Sequence, residues 1–395
     1  MKQYINICNI YILLWCIYYL QGVAYAVGSI ISQTILLLLI VTSGYYFVKV
    51  NTEDTPPMFI KALNIFIIMM TIYGVILILD PTPLFKGFYS GDTTGKIDFL
   101  KSIYISLLPI YPIYSFAKQG ILKPEVIRIL SLMLIVSATL MYFKEEQKAL
   151  LEAMETGSPR EEFTNNIAYD FLALFPLIFF WHRRPLIQYA LMFYVLTFLI
   201  MGMKRGAIII GLICFAWFLF RTYQTASKRN RLFIVILTLL ILIVGGYFII
   251  DFYNNSEYFQ LRIEQTLSGD SSGRDSILSH LWEYFIRQDS IFNMLLGNGA
   301  FYTVAVAGNL AHNDWMEILI CHGLLGVAIY TLYFATLFKA FQQSKTNPHI
   351  YNVLGMCLAI MLLSSLFSMS YSSLSLGLTL SIGYCIALTP SKTDL

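Results

Sequence analysis

Charged side chains are scarce in this sequence. They make up 12% of its 395 residues, whereas hydrophobic residues make up 57%. A soluble domain carries about 25% charged residues, so the composition excludes the ordinary soluble classes. It predicts an all-α polytopic membrane protein in which residues 1–395 form a single integral membrane domain in contact with membrane lipids. The net charge of +3 is dispersed among short segments, which argues against a nucleic-acid partner.

Cysteine pairs and metal-binding motifs are also missing. The six cysteines lie in or beside apolar runs and form no CxxC pair, so they favour neither disulfides nor metal ligation. No HExxH, DxD, GxSxG or phosphate-binding glycine loop occurs, and the sequence therefore predicts neither a metal nor a cofactor. Charges are absent from the middle of the apolar runs, which argues against an ion-coupled transporter.

What the sequence does contain is a series of long apolar runs, and these predict about 12 transmembrane helices. The runs span residues 4–21, 28–48, 59–79, 102–117, 125–143, 167–181, 186–203, 206–220, 232–250, 314–338, 350–368 and 371–388. The runs 102–117, 167–181 and 206–220 are short for a hydrocarbon core of about 30 Å.

The basic residues give these runs an orientation. With the N-terminus in the cytoplasm, the inside segments hold 15 basic and 4 acidic residues, and the outside segments hold 11 basic and 19 acidic residues. Basic residues favour the cytoplasmic side, so both termini are predicted to be cytoplasmic. Lys2, the first run and the stretch 24–26 resemble a cleavable signal peptide. A retained first span is preferred, because it agrees better with the predicted topology of 12 spans and two cytoplasmic termini.

Three predicted outside loops are long: residues 80–101, 144–166 and 251–313. For the second, we expect a short helix from Lys144 to Glu155. The third is too rich in apolar residues for disorder, and apolar positions recur in it at helical spacing. They predict an amphipathic helix near 273–287, begun by Ser272 as N-cap and carrying Trp282 at the membrane interface.

A polar junction precedes the run 314–338 and carries the residues best suited to chemistry. Asp314 and Glu317 have the spacing of a capping box, so the helix is expected to begin near Asp314. His312 then lies just outside it, where imidazole can act as a base near neutral pH. The alternatives are a helix cap or a satisfied hydrogen-bonding histidine. Glu317 is expected to face the interior and orient His312 or an acceptor hydroxyl.

Three outside cations have the positions of an anion site. Arg274 begins the amphipathic helix, and a cation at a helix N-terminus is unfavourable unless an anion joins it. The alternative is an ion pair with Asp270 or Asp275. Lys204 and Arg205 lie at the outer ends of two runs, against the preference of basic residues for the cytoplasmic side. Their position indicates a bound anion at the level of the lipid headgroups. The alternative is that their long side chains reach lipid phosphates.

An ordered set of short motifs resembles the family of bacterial O-antigen polymerases and O-antigen ligases. The set consists of Lys204-Arg205-Gly206-Ala207, Ser272-Gly273-Arg274, Gly297-Asn298-Gly299, His312-Asn313-Asp314-Trp315 and Gly323-Leu324-Leu325-Gly326. It covers about 200–330, and the rest of the chain matches that family only in hydropathy. The resemblance implies a GT-C-like, metal-independent glycosyltransferase in the bacterial inner membrane with a periplasmic active site.

The same resemblance implies the substrates and the residue roles. The substrates would be oligosaccharides linked to undecaprenyl diphosphate, and a chain-length regulator would be a protein partner. The resemblance assigns diphosphate binding to Arg274 and Arg205, and activation of the acceptor to His312. The chemistry of a glycosyl diphosphate adds Lys204 as a further cation for the leaving group and Glu317 as the alternative base. Asn313 and Asp314, next to His312, are the candidates for binding the acceptor.

The resulting expectation is a polymerase that joins lipid-linked repeat units into O-antigen or a similar polysaccharide at the periplasmic face. One alternative is a ligase that transfers finished glycan to lipid A–core. Another is a lipid-linked oligosaccharide flippase, which would favour two similar halves and no large ordered external loop; neither feature is evident in the sequence.

Overall fold

The computed structural model describes residues 7–53, 55–80, 93–156, 165–255, 257–268, 273–368 and 370–390. Of these residues, 82% are helical and none lies in a strand. This confirms the predicted all-α class. High helix content follows from the apolar composition, because a helix satisfies its backbone hydrogen bonds internally where water is absent.

Eighteen α-helices occur in the described residues. The first nine are α1 (Ile7–Tyr19), α2 (Ile30–Glu53), α3 (Met58–Leu79), α4 (Thr93–Leu107), α5 (Ile110–Lys118), α6 (Pro124–Thr156), α7 (Ala168–Ala173), α8 (Phe175–Ile178) and α9 (Pro185–Met201). The others are α10 (Arg205–Thr225), α11 (Lys228–Asn255), α12 (Glu257–Leu267), α13 (Arg274–Ile286), α14 (Ile291–Leu296), α15 (Tyr302–Ala307), α16 (Asp314–Gln343), α17 (Pro348–Phe367) and α18 (Leu376–Leu388).

Eight segments of the described chain are helical, long and apolar enough to cross a membrane. Four shorter apolar helices accompany them, at Ile7–Tyr19, Ala168–Trp181, Pro185–Met201 and Leu376–Leu388. Large apolar side chains on α11 point outward, with Ile236 57% and Ile243 69% exposed. Such a surface is stable against lipid rather than water, so the chain is a membrane protein. The predicted number of about 12 spans stays a prediction.

Two elements differ from the sequence expectation. No separate helix begins at Lys144, because α6 continues without a break for 33 residues from Pro124 to Thr156. Conversely, the run 102–117 is divided at Pro109, which separates α4 from α5. Proline lacks the backbone N–H that would continue the first of these helices.

The predicted external loop 251–313 is mostly helical. Helix α11 extends into it as far as Asn255, and α12 to α15 follow. Helix α13 occupies the place of the predicted amphipathic helix, with Leu281 buried and Trp282 exposed. It begins at Arg274 with Gly273 in the N-cap position, and Ser272 lies outside the described residues.

The bundle has two ends, which are named here by their contacts. The His312 end contains the start of α16, the start of α10 and the end of α17. The opposite end contains the starts of α9, α11 and α17. The 20 residues of α17 rise about 1.5 Å each, so the two ends lie roughly 30 Å apart, about the thickness of a hydrocarbon core.

Candidate functional site

The last turn of α17 joins the segments that the sequence singled out. Arg274 Nη1 donates to the carbonyl of Phe367 at 2.8 Å, and Asn313 Nδ2 donates to the carbonyl of Leu366 at 3.1 Å. Gly206 also packs here, since a Cβ on it would lie 3.6 Å from Phe367 Cβ. The starts of α10, α13 and α16 therefore meet at the end of α17.

His312 lies within the electrostatic field of two of the predicted cations. It is half-buried, and its pKa is lowered from the ordinary value first by this burial, then by the charge of Arg274 and then by that of Lys204. Neutral imidazole is therefore the favoured form at neutral pH, and neutral imidazole is the form that accepts a proton.

The backbone is strained at the same place. Three described residues other than glycine have positive φ: Met203 at 53°, Phe301 at 64° and His312 at 51°. Such a conformation costs about 1–2 kcal/mol for an L-residue. Met203 immediately precedes Lys204, and Phe301 follows the Gly297–Gly299 motif, so all three lie in or beside the predicted site. Strain of this kind is concentrated at functional sites.

Lys204 and Arg205 occupy the beginning of α10. Lys204 is its N-cap residue and Arg205 its first helical residue, and both side chains are partly exposed. Backbone N–H groups without helical partners give such a helix end a partial positive charge. Together with Arg274 at the start of α13, they concentrate positive potential near His312.

The start of α16 differs in detail from the predicted capping box. The N-cap is Asn313, whose Oδ1 accepts a hydrogen bond from the backbone N–H of Met316 at 3.0 Å. Asp314 is fully buried and accepts from Ser370 N and Oγ and from Tyr330 Oη, at 2.8, 2.6 and 2.8 Å. In this arrangement, Asn313 and Asp314 anchor the helix start rather than face an acceptor sugar.

Glu317 is also fully buried. Its carboxylate accepts from Thr303 Oγ1 at 2.8 and 2.9 Å and from the backbone N–H of Ala311 at 2.9 Å. Cys321 Sγ is 3.5 Å from Oε1. Glu317 thus fixes the residue before His312, and among the described residues no hydrogen bond joins it to the imidazole. Its geometry is that of a positioning residue.

We expect Glu317→Gln to keep at least about a third of wild-type activity. The amide oxygen can still accept from Ala311, and the amide N–H₂ can donate to Thr303 Oγ1, because a hydroxyl also accepts. Glu317→Ala should lower the yield of folded protein, since it leaves a buried N–H unpaired at a cost of about 1–3 kcal/mol. The assay is the polymerisation expected from the sequence, followed as chain length at matched protein level. A folded but inactive Glu317→Gln variant would instead make Glu317 the base.

Helix α16 is broken just below the site. Gly323 has φ 65° and ψ −168°, and this conformation interrupts the helix that the apolar run 314–338 predicts to be continuous. The Gly297–Gly299 segment covers the break: Asn298 N donates to Ile320 O at 3.1 Å and Gly299 N to Cys321 O at 3.0 Å. A break leaves carbonyls of the preceding turn without helical partners, and these two are satisfied from the loop.

The two glycines allow the backbones to touch. A Cβ on Gly297 would lie 2.4 Å from Cys321 O, and one on Gly323 would lie 2.4 Å from Leu295 O.

We expect Gly297→Ala to destabilise the protein by about 1–3 kcal/mol through overpacking, measured as a lower Tm in detergent. The control is Gly44→Ala, because a Cβ there meets nothing within 4 Å. Equal Tm values for both variants would contradict the close approach.

A cavity of about 230 Å³ lies at the same end of the bundle. Asp170 lines it together with Tyr18, Tyr19 and Ser137. Asp170 is held at this end of the bundle by Asn165. The backbone N–H of Asn165 donates to Gly202 O at 3.0 Å, and this bond holds the start of α7 against the end of α9. The sequence indicated only that Asp170 is close to the end of a span. A carboxylate beside hydroxyl groups can accept hydrogen bonds from sugar hydroxyls.

The structure leaves two expectations about the site open, namely the ion-pair partner of Arg274 and the absence of a metal. Asp270, one proposed partner of Arg274, lies outside the described residues. In the described residues, no three His, Cys, Asp or Glu side chains form a group that could hold a metal ion, and the metal-free site stays a prediction.

No protein-family model matches the chain, and no curated protein matches it.

Proposed function

We propose that this chain is a glycosyltransferase of the bacterial inner membrane that polymerises oligosaccharide repeat units carried on undecaprenyl diphosphate. The product is O-antigen or a similar surface polysaccharide. In this proposal the fold is GT-C-like and has 12 spans, both termini are cytoplasmic, and the His312 end faces the periplasm. The 8 long helices and 4 shorter apolar helices support that number of spans.

The observation that carries the proposal is that Arg274, Asn313 and Gly206 all contact or pack against the last turn of α17, which brings the cations Arg274 and Lys204 to the neighbourhood of His312. The sequence spreads Lys204, Arg274 and His312 over 108 positions, yet they meet at the ends of three helices. Two cations and helix N-termini form a suitable environment for a diphosphate. The neighbouring imidazole supplies the base that an attacking hydroxyl requires.

The reaction is then a displacement at the anomeric carbon of the donor glycan. The acceptor hydroxyl forms a bond to that carbon, the bond from the carbon to the diphosphate oxygen breaks, and undecaprenyl diphosphate leaves with the electron pair. His312 takes the hydroxyl proton. Arg274, Arg205 and Lys204 stabilise the negative charge that develops on the leaving group.

The acceptor glycan is proposed to approach from the side of the Asp170 cavity. Asn313 and Asp314 are engaged in holding α16, so they are poor candidates for direct sugar contacts. Asp170 can accept from hydroxyl groups, and Tyr18 and Tyr19 give an aromatic wall of the kind on which the apolar face of a sugar packs.

The pH dependence of kcat/KM should report the lowered pKa of His312. Because the base must be neutral, activity falls as pH drops through that pKa, and the acid limb should lie below the ordinary histidine value of about 6.5. Lys204→Gln removes a nearby positive charge, so its limb should move to higher pH, whereas Lys345→Gln at the opposite end should leave it unchanged. A limb above pH 6.5 in the wild type, or a downward shift in Lys204→Gln, would contradict this assignment.

A deletion strain tests the proposed function against its alternatives. Lipopolysaccharide bearing core plus a single repeat unit is the expected result for a lost polymerase. Core without O-antigen, together with accumulated lipid-linked polymer, would indicate a ligase. Single repeat units accumulated on the cytoplasmic side would indicate a flippase.

A further inference from the structure

A cavity lined by basic side chains lies at the end of the bundle opposite His312. Its volume is about 610 Å³. Arg183, His182 and His349 line it, as do Thr222, Asn352 and Gln188. No acidic side chain is among its described lining residues.

Three long helices begin at this cavity. Pro185 starts α9, Ser227 immediately precedes α11, and Asn347 caps α17; all three residues line the cavity. The helices have 17, 28 and 20 residues, so each carries a developed dipole with its positive end here. Their positive ends add to the charge of Arg183.

The two histidines leave ring nitrogens available. Their ring centroids are 4.6 Å apart, and His182 Nδ1 lies 3.2 Å from the carbonyl of Phe179. Within the described part of the chain, no hydrogen bond is made by the ring of His349. Thr222 Oγ1 is buried with no hydrogen-bond partner in that same part. These groups are donors that a ligand with several acceptor oxygens would satisfy.

The electrostatics of His182 agree with a positive environment. Burial lowers its pKa most, and the charges of Arg183 and Arg128 lower it further. Arg128 is itself paired with Glu125 at 2.6 Å, which leaves Arg183 as the cation that lines the cavity. An anion bound there would reverse the direction of the charge effect and favour the imidazolium form.

We propose that this cavity binds the phosphate of a phosphate-bearing ligand, either the headgroup of an anionic phospholipid or free phosphate. Arg183 supplies the charge and the bidentate donors, and His182 and His349 supply ring N–H groups. Basic pockets between membrane helices bind phospholipid headgroups in this manner. The site is about 30 Å from His312 by the rise of α17, and it does not depend on the glycosyltransferase proposal.

The apolar wall of the cavity accommodates a lipid as well. Phe179, Phe233 and Ile234 line it, and Phe233 is 43% exposed. Helix α11 continues from there with outward-facing Ile236 and Leu239. Acyl chains can lie along that face of α11 while the phosphate occupies the basic cavity.

Binding is tested with the purified full-length protein in detergent and two probes. In the first arm, native mass spectrometry measures phosphatidylglycerol retained after titration with lipid. In the second arm, the Tm is measured as inorganic phosphate is added to delipidated protein. The variants are Arg183→Gln and Arg183→Gln/His349→Gln. The matched control is Arg184→Gln, which removes the same charge one position away and does not line the cavity.

We expect Arg183→Gln to weaken binding about tenfold, the effect of a lost charge-assisted hydrogen bond, and the double variant to weaken it further. Arg184→Gln should stay within about twofold of wild type. Retained phosphatidylglycerol would identify the lipid as the source, and a phosphate-dependent rise in Tm without retained lipid would identify free phosphate. The absence of both responses in the wild type, or equal binding by Arg183→Gln and wild type, would overturn the proposal.

Discussion

Replacement of His312 by alanine should lower the rate of polymerisation about 100- to 10,000-fold, the usual range for loss of a general base. The protein should still insert and fold, because Asn313 caps α16 and the buried carboxylates of Asp314 and Glu317 hold its first turn without help from the imidazole. The measurement is the rate of chain elongation in membranes that contain equal amounts of variant and wild-type protein.

The positive φ of His312 requires a second variant. Alanine adopts this left-handed conformation at a cost of about 1–2 kcal/mol, so His312→Ala alone mixes a backbone effect with loss of the base. Asparagine tolerates the conformation well but has no basic group, and His312→Asn should therefore fold like wild type and remain inactive. Wild-type elongation by His312→Asn would show that His312 is not the base.

Replacement of Arg274 by alanine should abolish long chains, with a loss of about 100-fold or more if its guanidinium stabilises the leaving diphosphate. Arg274→Lys should restore only part of the activity, because an ammonium group lacks the planar fork that contacts two phosphate oxygens together. The measurement is the distribution of chain lengths at matched protein level.

The control for this prediction lies on the same helix. Arg287 is the C-cap residue of α13, is 76% exposed and pairs with Glu283 one turn earlier, so Arg287→Ala removes the same charge at the other end of the helix. It should retain wild-type chain lengths. Arg274 also donates to the carbonyl of Phe367, and a loss of unfolding free energy in Arg274→Ala larger than about 2 kcal/mol would indicate a structural role instead. Full activity in Arg274→Ala would remove it from the site.

The apolar runs predicted the helices well because hydrophobicity is a property of the local sequence. The helix starting at Asp314 lies where the sequence placed it, and α9 and α10 meet at the predicted junction before Arg205. The division of one run at Pro109 could also have been anticipated, since proline interrupts backbone pairing.

The break at Gly323 could not be predicted from its own neighbourhood. It depends on hydrogen bonds that Asn298 and Gly299 donate from a distant segment. For the same reason, the sequence around Glu317 gives no sign of its contacts with Thr303 and Ala311, which are the contacts of a positioning residue. The hydrogen bond from Arg274 to Phe367, 93 positions away, likewise could not be predicted from the residues around either of them.

Reconstitution tests the central claim most directly. The purified protein is placed in liposomes with undecaprenyl-diphosphate-linked repeat units from the same bacterium, and glycan length and released undecaprenyl diphosphate are followed together. We predict that glycans lengthen, that one undecaprenyl diphosphate is released for each unit added, and that His312→Asn liposomes do neither. If wild-type protein leaves the repeat units unjoined, or moves them across the bilayer without joining them, the polymerase account is contradicted.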